Sequence, residues 1–189
     1  LERRRGQGTG QAGGLRVDRP LTEGVTVATD LGEWRVVETP GHAPSHVCLH
    51  HAERRLLLSG DHLLGRVSLY FDHGYTPDPV GEFLESLTKV ERLDARLALS
   101  GHGRPFTDVA GHIAANRSLV AERLEAVRAA LTGAPRTPYE VARAVYGELF
   151  TDETASWLLG KARCWLTHLE RSGLAVRKGE APVRWGIAA

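Results

Sequence analysis

The chain has 189 residues, of which 42% are hydrophobic and 25% charged, with a formal net charge of +1. That size and balance fit a soluble globular protein of one full domain or two small ones, and so small a charge supplies no global field toward nucleic acid or an anionic membrane. No apolar run approaches the roughly 20 residues that span a bilayer, no signal-peptide core opens the chain, and Cys48 and Cys164 form neither a CxxC pair nor a disulfide framework, which points to a reducing cytoplasm.

Residues 1–20, with GQGTGQAGG, read as a flexible lead-in. The sequence holds no methionine and begins with Leu1, a residue that initiator removal does not normally expose, so it reads as a domain of a longer protein. EGVTVATDLGEWRVVETPG then gives two β-rich runs split by the turn DLG. HVCLHH and RRLLLSGD are two more strands around HAERR, with Val47, Leu49, Leu56 and Leu58 at period two. In TPDPVGEFLESLTKVERL the residues Phe83, Leu84, Leu87, Val90 and Leu93 recur at helical spacing, and Asp78 with Pro79 supplies a cap and first turn. ARLALSGHG is a strand, and a long amphipathic helix starts at Asp108. TGAPR is a linker. Beyond it Thr137, Pro138 and Glu140 make a capping box, a longer helix ends at Gly173, and LAVRKGEAPVRWGI reads as a hairpin. Helix, helix and hairpin in this span outline a winged helix.

Three strands are followed by the same kind of polar stretch: TPGH at 39–42, SGDH at 59–62 and SGHG at 100–103. Each sets a glycine against a potential metal ligand, namely His42, Asp61 and His102. Glycine lets the backbone turn sharply without a Cβ clash. Imidazole nitrogen and carboxylate oxygen suit zinc or a similar borderline metal, which brings the pKa of bound water to about 7.

Carrying these residues, the sequence resembles the metallo-β-lactamase superfamily of zinc hydrolases from about residue 22 to 131, most specifically in TPGHAPSHVCLHHAERRLLLSGDHLL. The resemblance implies an α/β fold: part of the superfamily's αβ/βα sandwich over residues 21–132, with metal ligands on loops at one edge. It implies that His42 completes a first zinc site, that Asp61 bridges the two metals and is the catalytic carboxylate, and that His102 completes the second. Residues 134–189 resemble the winged-helix domain appended in the branch that includes a mitochondrial endoribonuclease. The superfamily's HxHxDH cluster lies N-terminal to TPGH and supplies four ligands; this chain contains no HxH. The expectation is therefore the C-terminal part of the fold, with an incomplete two-zinc site, weak metal binding and little activity.

The implied reaction is attack of a metal-bound hydroxide on an ester, thioester, lactone or phosphodiester. The alternative is a nucleic-acid-binding winged-helix protein or an RNA-processing nuclease. From residue 133 onward eight Lys and Arg stand against six Asp and Glu, which is thin for a phosphate-binding module and favours a small-molecule substrate over nucleic acid. The apolar runs RVVE, HVCLH and RLALS carry an expectation of self-association. Among the remaining residues, His46 reads as a packing or supporting residue, His50 and His51 as solvated, His62 as structural, His73 and Tyr75 as candidates to line a pocket, and His112 and His168 as surface or partly buried. Cys48 reads as core, and Cys164 with Trp157, Leu158 and Trp165 as the core of the C-terminal part.

Overall fold

The structure, a computed structural model, describes residues 17–188; most of the expected lead-in lies outside the described residues. Five strands form one sheet in the order β1 (Thr26–Thr29), β2 (Gly32–Glu38), β3 (Val47–His51), β4 (Leu56–Gly60), β5 (Leu97–Ser100). The first four run antiparallel as a meander, and β5 pairs parallel with β4. Parallel pairing demands a crossover, and helix α1 (Pro79–Glu91) supplies it. Asp78 caps α1 by accepting from the Gly81 N–H, and Asp108 caps α2 (Val109–Ala130) by accepting from the Gly111 N–H.

Registry decides which side chains meet the helices. Val37 lies opposite Cys48, His50 opposite Leu57, and Leu57 opposite Ala98, so these share one face. Cys48, Leu57 and Ala98 are fully buried there with Val80, Phe83, Leu87 and Val90 of α1 and Val109 and Ile113 of α2. Each large aliphatic side chain so removed from water contributes about 1.5–3 kcal/mol. Val47, Leu49, Leu56 and Leu58, the residues that period two picks out, lie on the opposite face and are only half-buried, as are Leu97 and Leu99.

The C-terminal elements are α3 (Pro138–Tyr146), a 3-10 turn (Gly147–Leu149), α4 (Ala155–Arg171) and the antiparallel pair β6 (Ala175–Lys178) and β7 (Arg184–Ile187). The Thr137–Glu140 capping box forms in full. Gly173 adopts φ +72°, which lets the Leu174 N–H reach back to the Leu169 carbonyl and close α4. Arg136 exchanges both backbone hydrogen bonds with Trp185, tying the linker to the hairpin. One continuous apolar cluster runs from the sheet through α1 and α2 to Trp165, Leu166 and Leu169 of α4 and on to Trp185.

Two expectations are corrected. His50 and His51 are buried, not solvated: both sit within β3, and His51 packs edge-on to Trp34 while its ring nitrogens engage the Leu31 carbonyl and the Arg54 N–H. Trp157 is not core; it is 43% exposed, whereas Trp165 of the same helix is fully buried. His168 is partly buried, as expected, and it joins the two parts of the chain, its Nδ1 lying 2.9 Å from Asp78 Oδ2.

Candidate metal centre

Strand direction explains why distant residues meet. β2 and β4 both run antiparallel to β3, and β5 runs with β4, so the C-terminal ends of β2, β4 and β5 lie at one edge of the sheet. His42, Asp61 and His102 each follow one of these ends. Asp61 Oδ2 lies 3.6 Å from His42 Nε2, and Asp61 Oδ1 lies 3.7 Å from His102 Nε2. Each carboxylate oxygen therefore faces a different imidazole. The His42 and Asp61 side chains are 27% and 32% exposed and that of His102 is 79% exposed, so the site opens to solvent at the β5 end.

The loops are held tightly. Gly41 has φ +132°, and a Cβ there would meet the Phe83 backbone at 2.6 Å; beside it, Ser86 Oγ donates to the Pro40 carbonyl. The His42 loop is thus clamped on α1. Gly101 N–H donates to the Gly60 carbonyl, and a Cβ on Gly101 would collide with Asp61 Oδ1. This glycine is the cradle that leaves room for the carboxylate between the two histidines.

His46 supports Asp61 through a directed chain. The Asp61 backbone N–H donates to His46 Nε2 at 3.1 Å, so that nitrogen is unprotonated and the ring proton sits on Nδ1. Nδ1–H then donates to Thr39 Oγ1 at 2.8 Å. The threonine hydroxyl donates on to Cys48 Sγ at 3.3 Å, and the thiol to the Ser59 carbonyl at 3.5 Å. Burial and the neighbouring His42 lower the His46 pKa, with Asp61 opposing, which favours this neutral form. Burial pushes the Cys48 thiol up to about 12, so it serves as a protonated link and not as a nucleophile. Gly60, at a register shift in β4 and with φ +50°, leaves the space into which His46 reaches.

Tyr70 stands 5.4 Å from His42, ring to ring. Sequence reasoning misses it; only its place after GDHLL hints at the site. His62 lies buried behind His46 and against Phe83, with neither ring nitrogen hydrogen-bonded. His73 is half-buried and Tyr75 74% exposed on the 72–77 loop.

Among the described residues no group of three or more His, Cys, Asp or Glu is placed to hold one metal ion. The donor set still fits half a shell for each of two ions. Metal–ligand bonds of about 2.0–2.1 Å in a tetrahedral shell put neighbouring donors about 3.4 Å apart, close to the two imidazole–carboxylate separations here.

The family profile described as the Metallo-beta-lactamase superfamily matches residues 2–102. The chain is 30% identical over 141 residues to the probable metallo-hydrolase YqjP of Bacillus subtilis, covering 71% of this chain and 44% of that protein. Among solved structures, it superposes with a TM-score of 0.84 and 32% identity on a beta-lactamase domain protein from Burkholderia ambifaria, over 90% of this chain and 52% of that one. A metallo-beta-lactamase family protein from Thermus thermophilus gives a TM-score of 0.79 at 30% identity, over 89% and 54%. The chain thus spans about half the length of these relatives. By the profile match and by these likenesses, it belongs to the metallo-beta-lactamase superfamily.

Proposed function

We propose that this chain carries one side of a two-zinc hydrolase site, with His42 a ligand to one metal, His102 to the other and Asp61 shared between them. The observation that carries this reading is the pair of Asp61 oxygens, each facing a different imidazole at 3.6 and 3.7 Å. Zinc bound there would act as a Lewis acid that makes water a competent nucleophile near neutral pH. Asp61 would help to orient the attacking water and hold the His42 and His102 sides of the site in register. His46, Thr39 and Gly101 keep Asp61 in place, and Tyr70 walls the His42 side. The substrate classes are an ester, thioester, lactone or phosphodiester, since the fold does not choose among them.

A small molecule is favoured over nucleic acid as substrate. In the C-terminal part, which we read as a winged helix, Arg177 pairs with Glu170 and Arg184 with Glu140, so two of the hairpin's basic side chains are already neutralised. Among the described residues no helix is long and apolar enough to cross a membrane. The two cysteines are free and buried, in keeping with a cytoplasmic setting.

A catalytic zinc usually keeps three protein ligands, and here each metal has two. Purified from zinc-containing medium, the chain alone is expected to hold well under one equivalent of zinc and to turn over generic esters, thioesters and single-stranded RNA poorly. Mixed with the part of the Burkholderia relative that it does not cover, it should gain zinc, and Asp61→Ala should lose that gain while the circular dichroism stays unchanged. Two tightly held zinc ions in the chain alone would overturn the half-shell reading. Zinc content indifferent to Asp61→Ala would overturn the bridging role.

A further inference from the structure

A cleft of about 200 Å³ opens between α2, α3, α4 and the segment 67–69. Its apolar walls come from Leu69, Leu119, Leu149 and Leu158, with Trp157 and Trp165. Its polar lining contains no acid. Arg123 lines it from α2, Lys161 from α4 and Tyr146 from α3, and the Arg123 charge acts on Lys161. Both cations are half-buried, and neither is in an ion pair with a described residue. Aromatic faces hold them instead: Lys161 Nζ lies 4.3 Å from the Trp157 ring centre and the Arg123 guanidinium 5.7 Å from that of Tyr146. Tyr146 Oη accepts from Trp165 Nε1 at 3.0 Å, which leaves its own O–H to donate. Burial raises the Tyr146 pKa, so that proton is retained.

Two like charges held half out of water beside one another, without a counter-charge, cost free energy that an anion between them would recover. The same cleft offers apolar surface to a ligand's body. Its volume lies below the about 300–1,000 Å³ of drug-sized sites, which restricts the ligand to a handful of heavy atoms. We infer that the α2–α3–α4 cleft binds a small amphipathic organic anion, its carboxylate or phosphate between Arg123, Lys161 and the Tyr146 hydroxyl and its short apolar body against the leucine and tryptophan walls. Its lining includes none of His42, Asp61 and His102, and the inference does not depend on whether they bind metal.

The test is titration of the full chain with hexanoate, hexyl phosphate and 1-hexanol, read by tryptophan fluorescence and by calorimetry. Trp157 and Trp165 line the cleft, so occupancy should change the emission. Saturable binding is expected for at least one anion, at least tenfold tighter than for hexanol, and the ratio between hexanoate and hexyl phosphate assigns the headgroup. Lys161→Gln and Arg123→Gln should each weaken the anion at least fivefold while thermal melting and circular dichroism stay native; both side chains are part-exposed, so the fold does not depend on them. Failure of both anions to saturate, equal binding of hexanol, or affinity unchanged in both variants would overturn the proposal.

Discussion

Asp61 owes its position to residues that carry no charge at the site: the neutral imidazole of His46, the Thr39 hydroxyl and the bare backbone of Gly101. Its neighbour His62 is a different case. Burial first, then the nearby His46 and His42, lower the His62 pKa to about 3, and neither ring nitrogen has a hydrogen-bond partner. The unfolded chain takes up this proton below about pH 6.5, while the folded chain resists it until about pH 3. Stability that is complete above pH 6.5 is therefore lost progressively as the pH falls toward 3. Because His62 makes no hydrogen bond to forfeit, His62→Leu should fold and should lose less stability between pH 7 and pH 5 than the parent chain. Urea denaturation at a series of pH values checks this, and equal acid slopes would assign the loss elsewhere. The candidate ligands were legible at this scale because glycine beside a histidine or aspartate is a local signature. The supporting role of His46 was legible as well, but not its partners, since the path from Thr39 through His46 to Asp61 depends on how β2 and β4 pair through β3.

At the scale of elements, Asp78 does two jobs. It caps α1, and it accepts from His168 of α4 at 2.9 and 3.1 Å. Burial alone would raise this carboxyl, but the hydrogen bonds from His168 and the Gly81 N–H outweigh it and hold the group below the usual carboxylate range. A carboxylate of this kind contributes stability above its unfolded pKa of about 3.9, lost as the pH falls through the lower folded value. Asp78→Ala should cost about 2–5 kcal/mol, the sum of a lost cap and a lost charged hydrogen bond. Asp78→Asn should cost less, since an amide oxygen still caps. Denaturant midpoints of the two variants decide between cap and ion pair as the main term. The caps themselves, at Asp78, Asp108 and Thr137, were readable from the sequence, because a cap bonds only to backbone three residues on. That Asp78 would also meet His168, ninety residues away, was not.

Over the whole molecule, the helices described here cover one face of the five-stranded sheet and leave Val47, Leu49, Leu56, Leu58, Leu97 and Leu99 of the other half-buried. Apolar surface of that extent drives association. The chain is expected to self-associate with rising concentration in light scattering, and the double variant Leu49→Lys, Leu58→Lys, at a directly opposed pair of β3 and β4, should shift it toward monomer; monomer at every concentration in the parent chain would refute the idea. The sequence by itself determined what local chemistry controls: the strands and helices through hydrophobic period, their ends through Asp, Thr, Pro and Gly, and the candidate ligands His42, Asp61 and His102 through the glycine turns that present them. The tertiary structure alone decided which of these meet and which faces are covered. It brought three candidate ligands, spread over sixty residues, to one edge because β2, β4 and β5 point the same way. It buried His50 and His51, exposed Trp157 and gathered Arg123, Tyr146 and Lys161 in one cleft, because burial depends on what packs against a residue, and packing partners come from remote parts of the chain.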